Sequence, residues 1–296
     1  MLDIEWLEPA GIDELLRMAA YFGEAARLVA GGTWVTLVMR QGLLMPQALI
    51  SLRHVPGLRH IQVDGTGALH VGALVTHRQV ERSPVVRAGW PVLAETFATV
   101  ANVRIRNQAT VGGVLCDADY ASDPPTTLVA LGAEVVLVGP EGERRLAVRD
   151  FILDHYTTAI APGELLAEVV IPPQPPGARA VYLKYRTRSH EDRPCVGVAT
   201  LATSDGAGAC TGLRVVVGAV AGRPQVLDEA LNAAIGRPFD ARLAREVAEA
   251  YAGAIDPLSD LRGSSWYRRQ MIRVHVERAI LGIRDKRVEI GDGDLA

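Results

Sequence analysis

Apolar and polar positions alternate with two different periods along the chain, and each period predicts one kind of element. The N-terminal part predicts strands at 4–7, 26–30 and 48–52 and helices over 11–22 and 34–39. Thr33 is the expected N-cap of the second helix, and Gly42 its expected end. The middle part predicts strands at 58–63, 68–74, 134–138 and 166–171, and helices over 76–81, 90–100 and 126–131. The C-terminal part predicts strands at 180–186, 195–203 and 213–220, and helices from residue 227 and over 242–253 and 264–281.

One segment has the composition of a linker. Residues 172–177 read Pro-Pro-Gln-Pro-Pro-Gly, and a stretch this rich in proline is stiff and extended. Mixed helix and strand patterns lie on both sides of it, which indicates an α+β fold. We predict structural units at 1–54, 55–173 and 178–284, followed by a flexible tail at 285–296.

Composition and charge narrow the class of protein. The chain has 296 residues, of which 49% are hydrophobic and 22% charged, so it can bury a sizeable core. A formal net charge of -3 argues against general binding to nucleic acid or to an anionic membrane. No apolar run approaches the roughly 20 residues of a membrane helix, and no basic segment followed by an apolar one opens the chain. The expected location is the cytoplasm.

Two pairs of adjacent glycines suggest a phosphate site. They are Gly31-Gly32 and Gly112-Gly113, and each follows an apolar or alternating segment. Adjacent glycines let the backbone approach a ligand and direct successive N–H groups at one anion. The chain has neither a Gly-x-Gly-x-x-Gly nor a Gly-x-x-x-x-Gly-Lys-Ser/Thr motif at a strand-to-helix turn, so Rossmann and P-loop devices do not explain these pairs. Two such loops suit a pyrophosphate.

Other kinds of site find little support. The cysteines Cys116, Cys195 and Cys210 are scattered, which favours neither a disulfide framework nor an iron–sulfur cluster. The seven histidines lack metal-ligand spacing, and no Gly-x-Ser-x-Gly nucleophile motif occurs. The sequence therefore predicts no metal site and no catalytic residue.

Several motifs occur together in one order and carry a family resemblance. They are Ala30 to Thr33, Ile105 to Gly113, Ala121 to Asp123, Leu131 to Glu134, Pro162 to Leu166, Ile171-Pro172, and Asp260 to Arg269. With them the chain resembles the FAD-binding medium subunit of molybdenum hydroxylases, a family that includes the medium subunit of carbon monoxide dehydrogenase and the FAD domain of xanthine dehydrogenase. The resemblance covers nearly the whole chain.

The resemblance implies both a fold and a cofactor. The fold would be a vanillyl-alcohol-oxidase-type (PCMH-type) FAD-binding domain of two subdomains, at 1–54 and 55–173. A C-terminal α+β domain like that of carbon monoxide dehydrogenase flavoprotein would occupy 178–284. FAD would lie between the two subdomains.

The resemblance also assigns roles to individual residues. Asp123 would bond to FAD hydroxyls, Leu166 would pack by the flavin, and Lys184 would lie near the isoalloxazine, where its charge stabilises a reduced flavin anion. Asp117 is a further candidate, facing the ribityl chain. Two loops would hold the pyrophosphate through backbone N–H groups, and their residues are Val29, Ala30, Gly31, Gly32, Thr33, Trp34, Thr110, Val111, Gly112, Gly113 and Val114.

Three positions depart from the family pattern. Val114 replaces an asparagine that usually follows the second glycine pair, Tyr120 replaces a common proline, and Trp34 replaces a small polar or acidic residue. A lost hydrogen bond of this kind costs about 0.5–1.5 kcal/mol, which is too little to abolish a site with many contacts.

Three functional hypotheses stay open. In the first, the chain is an electron-transfer subunit that passes electrons from the [2Fe-2S] clusters of a small subunit through FAD to an external acceptor. Substrate would then be oxidised at the molybdenum cofactor of a large subunit, and the complex would be a dimer of heterotrimers. In the second, the chain is a self-sufficient FAD-dependent oxidoreductase acting on a small molecule. In the third, it is an assembly module whose FAD site has decayed, as Val114 suggests.

Overall fold

The structure, a computed structural model, describes residues 4–284 of the chain. Three main β-sheets and the helices packed on them organise these residues. The tail predicted at 285–296 lies outside the described residues. Within the described part, no helix is both long and apolar enough to cross a membrane.

The first sheet is parallel and contains three short strands. These are β1 (Glu5–Leu7), β2 (Ala26–Val29) and β3 (Ala48–Ser51), in the order β1-β3-β2. Helix α1 (Ile12–Phe22) follows β1, and helix α2 (Val35–Arg40) follows β2. The central strand β3 has little solvent access because Leu15 of α1 packs in one core with its Ala48 and Ile50. Such burial on both faces is usual for a parallel strand.

The second sheet is antiparallel and has β10 at its centre. Its order is β4-β5-β10-β6-β7, with β4 (Ile61–Val63), β5 (Leu69–Gly72), β6 (Glu134–Gly139), β7 (Gly142–Ala147) and β10 (Leu165–Ile171). A short hairpin of β8 (Ile152–Asp154) and β9 (Thr157–Thr158) accompanies it. The helices of this region are α3 (His77–Arg82), α4 (Pro84–Gly89), α5 (Pro91–Ala98), α6 (Val103–Arg106), α7 (Val111–Asp117), α8 (Asp123–Ala130) and α9 (Val148–Phe151).

The third sheet is antiparallel and follows the proline-rich segment 172–177. It consists of β11 (Arg179–Tyr185), β12 (Val196–Ser204) and β13 (Cys210–Gly218) in chain order. Helices α10 (Asp228–Asn232), α11 (Ala241–Ala254) and α12 (Ser265–Arg284) belong to the same part of the chain. Residues of α11, α12 and the sheet share one apolar core that includes the fully buried Tyr251. The mixed helix and sheet content confirms the predicted α+β class.

Local predictions were wrong at two places. Thr33 does not cap α2, which begins at Val35 and has no side-chain cap. Residues 110–114, predicted as a loop, are the N-cap and first turn of helix α7. The segment 102–108, for which no element was predicted, contains the short helix α6, because Asn102 accepts hydrogen bonds from two N–H groups and caps it.

The third sheet packs directly on a helix of the middle region. Helix α8 contacts β12 and β13, and a Cβ built on Gly218 would lie 1.9 Å from Oγ1 of Thr126. A polar bridge adds to this contact: Oη of Tyr120 donates to Asp260 at 2.5 Å, and the guanidinium of Arg262 donates to both groups. Asp260 also accepts from the fully buried Arg268 at 2.6 Å. The third sheet is thereby held against α8.

Candidate functional site

The first glycine loop presents a row of backbone donors. Residues 31–34 connect β2 to α2, and Gly32 has the left-handed φ of +69° that glycine adopts most readily. The N–H groups of these four residues make no hydrogen bond to any residue within 4–284. The loop is partly exposed, so the four donors are accessible to an anion.

Gly31 brings this loop against the segment before the second glycine pair. A Cβ built on Gly31 would lie only 1.8 Å from the carbonyl oxygen of Gln108, and 3.2 Å from the Cα of Ala109. Any residue other than glycine at position 31 would therefore force the two backbone segments apart. The structure therefore brings the two glycine segments together.

The N–H groups of the second glycine pair, Gly112-Gly113, form hydrogen bonds within the protein. The N–H of Gly112 donates to the carbonyl of Ala73 at 2.8 Å, and the N–H of Gly113 donates to Oγ1 of Thr110 at 3.1 Å. The N–H groups of Val111 and Val114 also have backbone acceptors, at 2.9 and 3.0 Å. This differs from the expectation that both loops offer free N–H groups. The pair fixes the start of α7 against β5, since a Cβ on Gly112 would lie 2.6 Å from that of Ala73.

A buried ion pair lies at the N-terminus of α8. Nζ of Lys184 is 2.9 Å from Oδ2 of Asp123, and each side chain is 4% exposed. Nζ also donates to the carbonyl of Thr99 at 2.9 Å, and Oη of Tyr182 donates to Oδ1 of Asp123 at 2.7 Å. Burial raises the pKa of Asp123, while the charge of Lys184 opposes this shift. Leu166 is buried in the same apolar core as Tyr182.

Trp34 and Asp117 line a neighbouring polar and aromatic region. The ring centroids of Trp34 and Tyr156 are 6.0 Å apart, and the N–H of Tyr156 donates to the carbonyl of Ala118 at the end of α7. Oδ1 of Asp117 is buried and has no hydrogen-bond partner in the part of the chain that the structure describes. Burial, with a smaller contribution from the charge of Asp119, raises the pKa of Asp117 to about 7.

The predicted site residues thus fall into two groups. The loop that follows Val29, residues 30–34, contacts Gln108 and Ala109 directly before residues 110–114, whereas Asp123 and Lys184 pair at the N-terminus of α8 and Leu166 is buried in the apolar core that contains Tyr182. No hydrogen bond, ion pair or ring contact among residues 4–284 joins the two groups directly, but α7 and α8 pack against each other. Within the same residues, no cluster of three or more His, Cys, Asp or Glu side chains suits a metal ion.

Sequence reasoning missed Tyr182 and Arg193. Tyr182 precedes Lys184 by two residues on β11, so the two side chains lie on the same face of the sheet. The alternation of side chains in a strand could therefore have indicated Tyr182 from the sequence. Arg193 forms an ion pair with the buried carboxylate of Asp119. Nothing in the local sequence indicates that contact, because the two residues come from different parts of the fold.

Known proteins match this chain over nearly its whole length. Residues 2–174 match the family described as the FAD binding domain in molybdopterin dehydrogenase, and residues 181–283 match the CO dehydrogenase flavoprotein C-terminal domain. The chain is 34% identical to the carbon monoxide dehydrogenase medium chain of Afipia carboxidovorans, over 93% of this chain and 95% of that one. It is 33% identical to subunit alpha of the 6-hydroxypseudooxynicotine dehydrogenase complex of Paenarthrobacter nicotinovorans, over 91% and 90% of the two chains.

A solved structure agrees with these matches. The quinoline 2-oxidoreductase of Pseudomonas putida 86 superposes with a TM-score of 0.90 at 30% identity, covering 96% of this chain and 97% of that one. The fold and site define a flavoprotein of the oxidoreductase class. The chain belongs to the family of FAD-binding medium subunits of molybdenum hydroxylases, which confirms the resemblance, the predicted fold and the FAD cofactor.

The residues present fit this cofactor. Four free N–H groups in a row suit a pyrophosphate, and a buried lysine suits the charge that a flavin gains on reduction. When bound, FAD supplies the capacity to take up and release electrons.

A buried histidine behind the second glycine pair predicts acid sensitivity. His77 is 1% exposed, and neither ring nitrogen has a hydrogen-bond partner among residues 4–284. Burial lowers its pKa from 6.5 to about 4. The folded state therefore favours the neutral ring, and its stability falls as the pH drops from 6.5 to 4, by about 3 kcal/mol.

We expect His77→Leu to lose most of this acid dependence. Urea unfolding at neutral pH and near pH 4 measures it, as the difference between the two free energies of unfolding. His54→Leu is the matched control, since it makes the same substitution at a histidine whose side chain is 60% exposed. Equal pH dependence in wild type and His77→Leu would contradict the assignment.

Proposed function

We propose that this chain is the electron relay of a molybdenum hydroxylase complex. It would accept electrons from the [2Fe-2S] clusters of a small subunit and pass them through FAD to an external acceptor. Substrate would be oxidised at the molybdenum cofactor of a large subunit, and the complex would be a dimer of heterotrimers.

One observation carries this proposal. The same fold, at 30–34% identity, serves proteins whose names specify carbon monoxide, 6-hydroxypseudooxynicotine and quinoline as substrates. These molecules differ in size, charge and reactive bond, so a chain common to all three supports a role that does not depend on the substrate. Electron transfer through a flavin is such a role.

Within this role, the two groups of residues have separate tasks. The N–H groups of residues 31–34 would bind the pyrophosphate, and the close contact of Gly31 with Gln108 would set the width of that site. Lys184 would offset the negative charge that the flavin gains on reduction. Asp123 would orient Lys184 and accept from FAD hydroxyls, Leu166 would pack by the ring, and the carboxyl of Asp117 would face the ribityl chain.

A second candidate function rests on Asp117. A carboxyl group with a pKa of about 7 and an unpaired buried oxygen suits a general acid or base. A self-sufficient FAD-dependent oxidoreductase would use such a group to move a proton to or from a small substrate.

An anaerobic mixing experiment separates the two candidates. The isolated, FAD-loaded chain is mixed with photoreduced small [2Fe-2S] subunit, and the visible flavin absorption is followed. The relay predicts rapid bleaching with the reduced small subunit and negligible bleaching with carbon monoxide, quinoline or 6-hydroxypseudooxynicotine alone. Rapid bleaching of the isolated chain by one of these molecules would favour the second candidate, and no bleaching by the reduced small subunit would overturn the relay.

A further inference from the structure

Lys184 has one hydrogen-bond donor more than the protein uses. An ammonium group carries three N–H donors, and Nζ of Lys184 has two acceptors, Thr99 and Asp123. No third acceptor occurs among residues 4–284, although the side chain is 4% exposed. A buried charged donor without an acceptor is costly, so this position is built to face a ligand.

The position of Nζ of Lys184 depends on Asp123, and the position of Asp123 depends on Tyr182. Oδ1 of Asp123 accepts from Oη of Tyr182 at 2.7 Å, while Oδ2 accepts from Lys184. The phenol is buried at 4% exposure, and it has room because residue 197 on the adjacent strand is glycine, where a Cβ would lie 2.5 Å from Oη. Asp123 is also the first residue of α8, where the helix dipole favours a negative charge.

We infer that Tyr182 is a positioning residue of the flavin site, which holds the carboxylate of Asp123 in place so that Nζ of Lys184 keeps its third N–H directed at the cofactor. The inference rests on the proposed placement of the flavin beside Lys184. Tyr182 itself need not touch the flavin, since it acts through Asp123.

The physical reason is the cost of burying the carboxylate of Asp123. Burial raises the pKa of Asp123, whereas Lys184 and the hydroxyl of Tyr182 lower it. Without that hydroxyl, Oδ1 is buried with no donor, so the carboxylate is less stable and holds Nζ of Lys184 less firmly. The ammonium group is then no longer fixed toward the negative charge of a reduced cofactor. Arg186, directly after β11, is the other charge that acts on Asp123.

The test compares Tyr182→Phe with Tyr185→Phe in the FAD-loaded chain. Both tyrosines lie on β11, and each substitution removes one hydroxyl. The hydroxyl of Tyr185 bonds to Tyr267, however, and not to Asp123. The measurement is the midpoint potential of the bound flavin as a function of pH, by reductive titration with a redox dye. We expect Tyr182→Phe to shift the potential to more negative values and to increase the number of protons taken up with the electrons. Tyr185→Phe should keep the wild-type values.

A second pair of variants shows whether Tyr182 acts through Asp123. Adding Tyr182→Phe to Asp123→Asn should change the potential no further, because the carboxylate is already absent. An equal shift in both backgrounds, or unchanged potentials in Tyr182→Phe, would overturn the inference. If Tyr182→Phe binds FAD too weakly to titrate, the dissociation constant of FAD is compared instead for Tyr182→Phe, Tyr185→Phe, Asp123→Asn and the double variant. If the potentials shift as expected but the flavin takes no electrons from the small subunit, only the relay is contradicted, and the role of Tyr182 stands.

Discussion

Replacing Gly31 with alanine should remove most of the FAD from the purified chain. The added Cβ would lie 1.8 Å from the carbonyl oxygen of Gln108, which is a backbone atom that cannot rotate away. The loop carrying the four free N–H groups must therefore move from the second glycine segment. Overpacking of this kind costs about 1–3 kcal/mol in stability, and a site that depends on converging N–H groups loses its geometry as well. Flavin content per protein, measured from the visible spectrum, reports the loss.

The matched control is Gly11→Ala. A Cβ built on Gly11 meets no atom within 4 Å, and its φ of -162° is an extended conformation open to any residue. This variant should keep its flavin and, because Gly11 is the N-cap of α1, should lose no more than about 1 kcal/mol of stability. If Gly31→Ala folds and retains the flavin content of Gly11→Ala, the loop from 31 to 34 does not hold the pyrophosphate.

Much of the fold follows from local periodicity. Strands β2, β3 and β10 were predicted to within about one residue, because each is a short apolar run bounded by turn residues. Gly42 takes a φ of +72° after α2, as expected for a glycine at the end of a helix. The first glycine loop was also placed correctly between a strand and a helix.

The role of the second glycine pair could not be predicted from the local sequence. Its sequence does not tell whether its N–H groups face a ligand or the protein. The N–H of Gly112 donates to Ala73 and that of the preceding Val111 donates to Val75, and both acceptors follow β5, far back in the chain. Only the tertiary pairing of α7 with this strand decides the matter. The bond between Tyr182 and Asp123 likewise spans 59 residues, so strand periodicity gave the direction of Tyr182 but not its partner.

Lys184→Met should destabilise the chain by about 3–5 kcal/mol, because it leaves the carboxylate of Asp123 buried without a countercharge. Methionine keeps the length and apolar volume of the side chain, so the loss of charge dominates. The double variant Lys184→Met/Asp123→Asn removes both charges and should recover part of this loss, with a coupling free energy of about 0.5–3 kcal/mol. Urea unfolding of the four proteins in the cycle measures both quantities, and their flavin content is recorded beside them.

An exposed ion pair provides the comparison. Arg149 and Asp228 are 2.7 Å apart, but their side chains are 48% and 58% exposed, so Arg149→Met should cost no more than about 1 kcal/mol. If Lys184→Met costs as little as Arg149→Met, Asp123 is not held as a buried carboxylate. In that case neither the orientation of Lys184 nor the role inferred for Tyr182 would stand, because both require a charge on Asp123. A large cost for Lys184→Met, with partial recovery in the double variant, is the outcome that the buried geometry predicts.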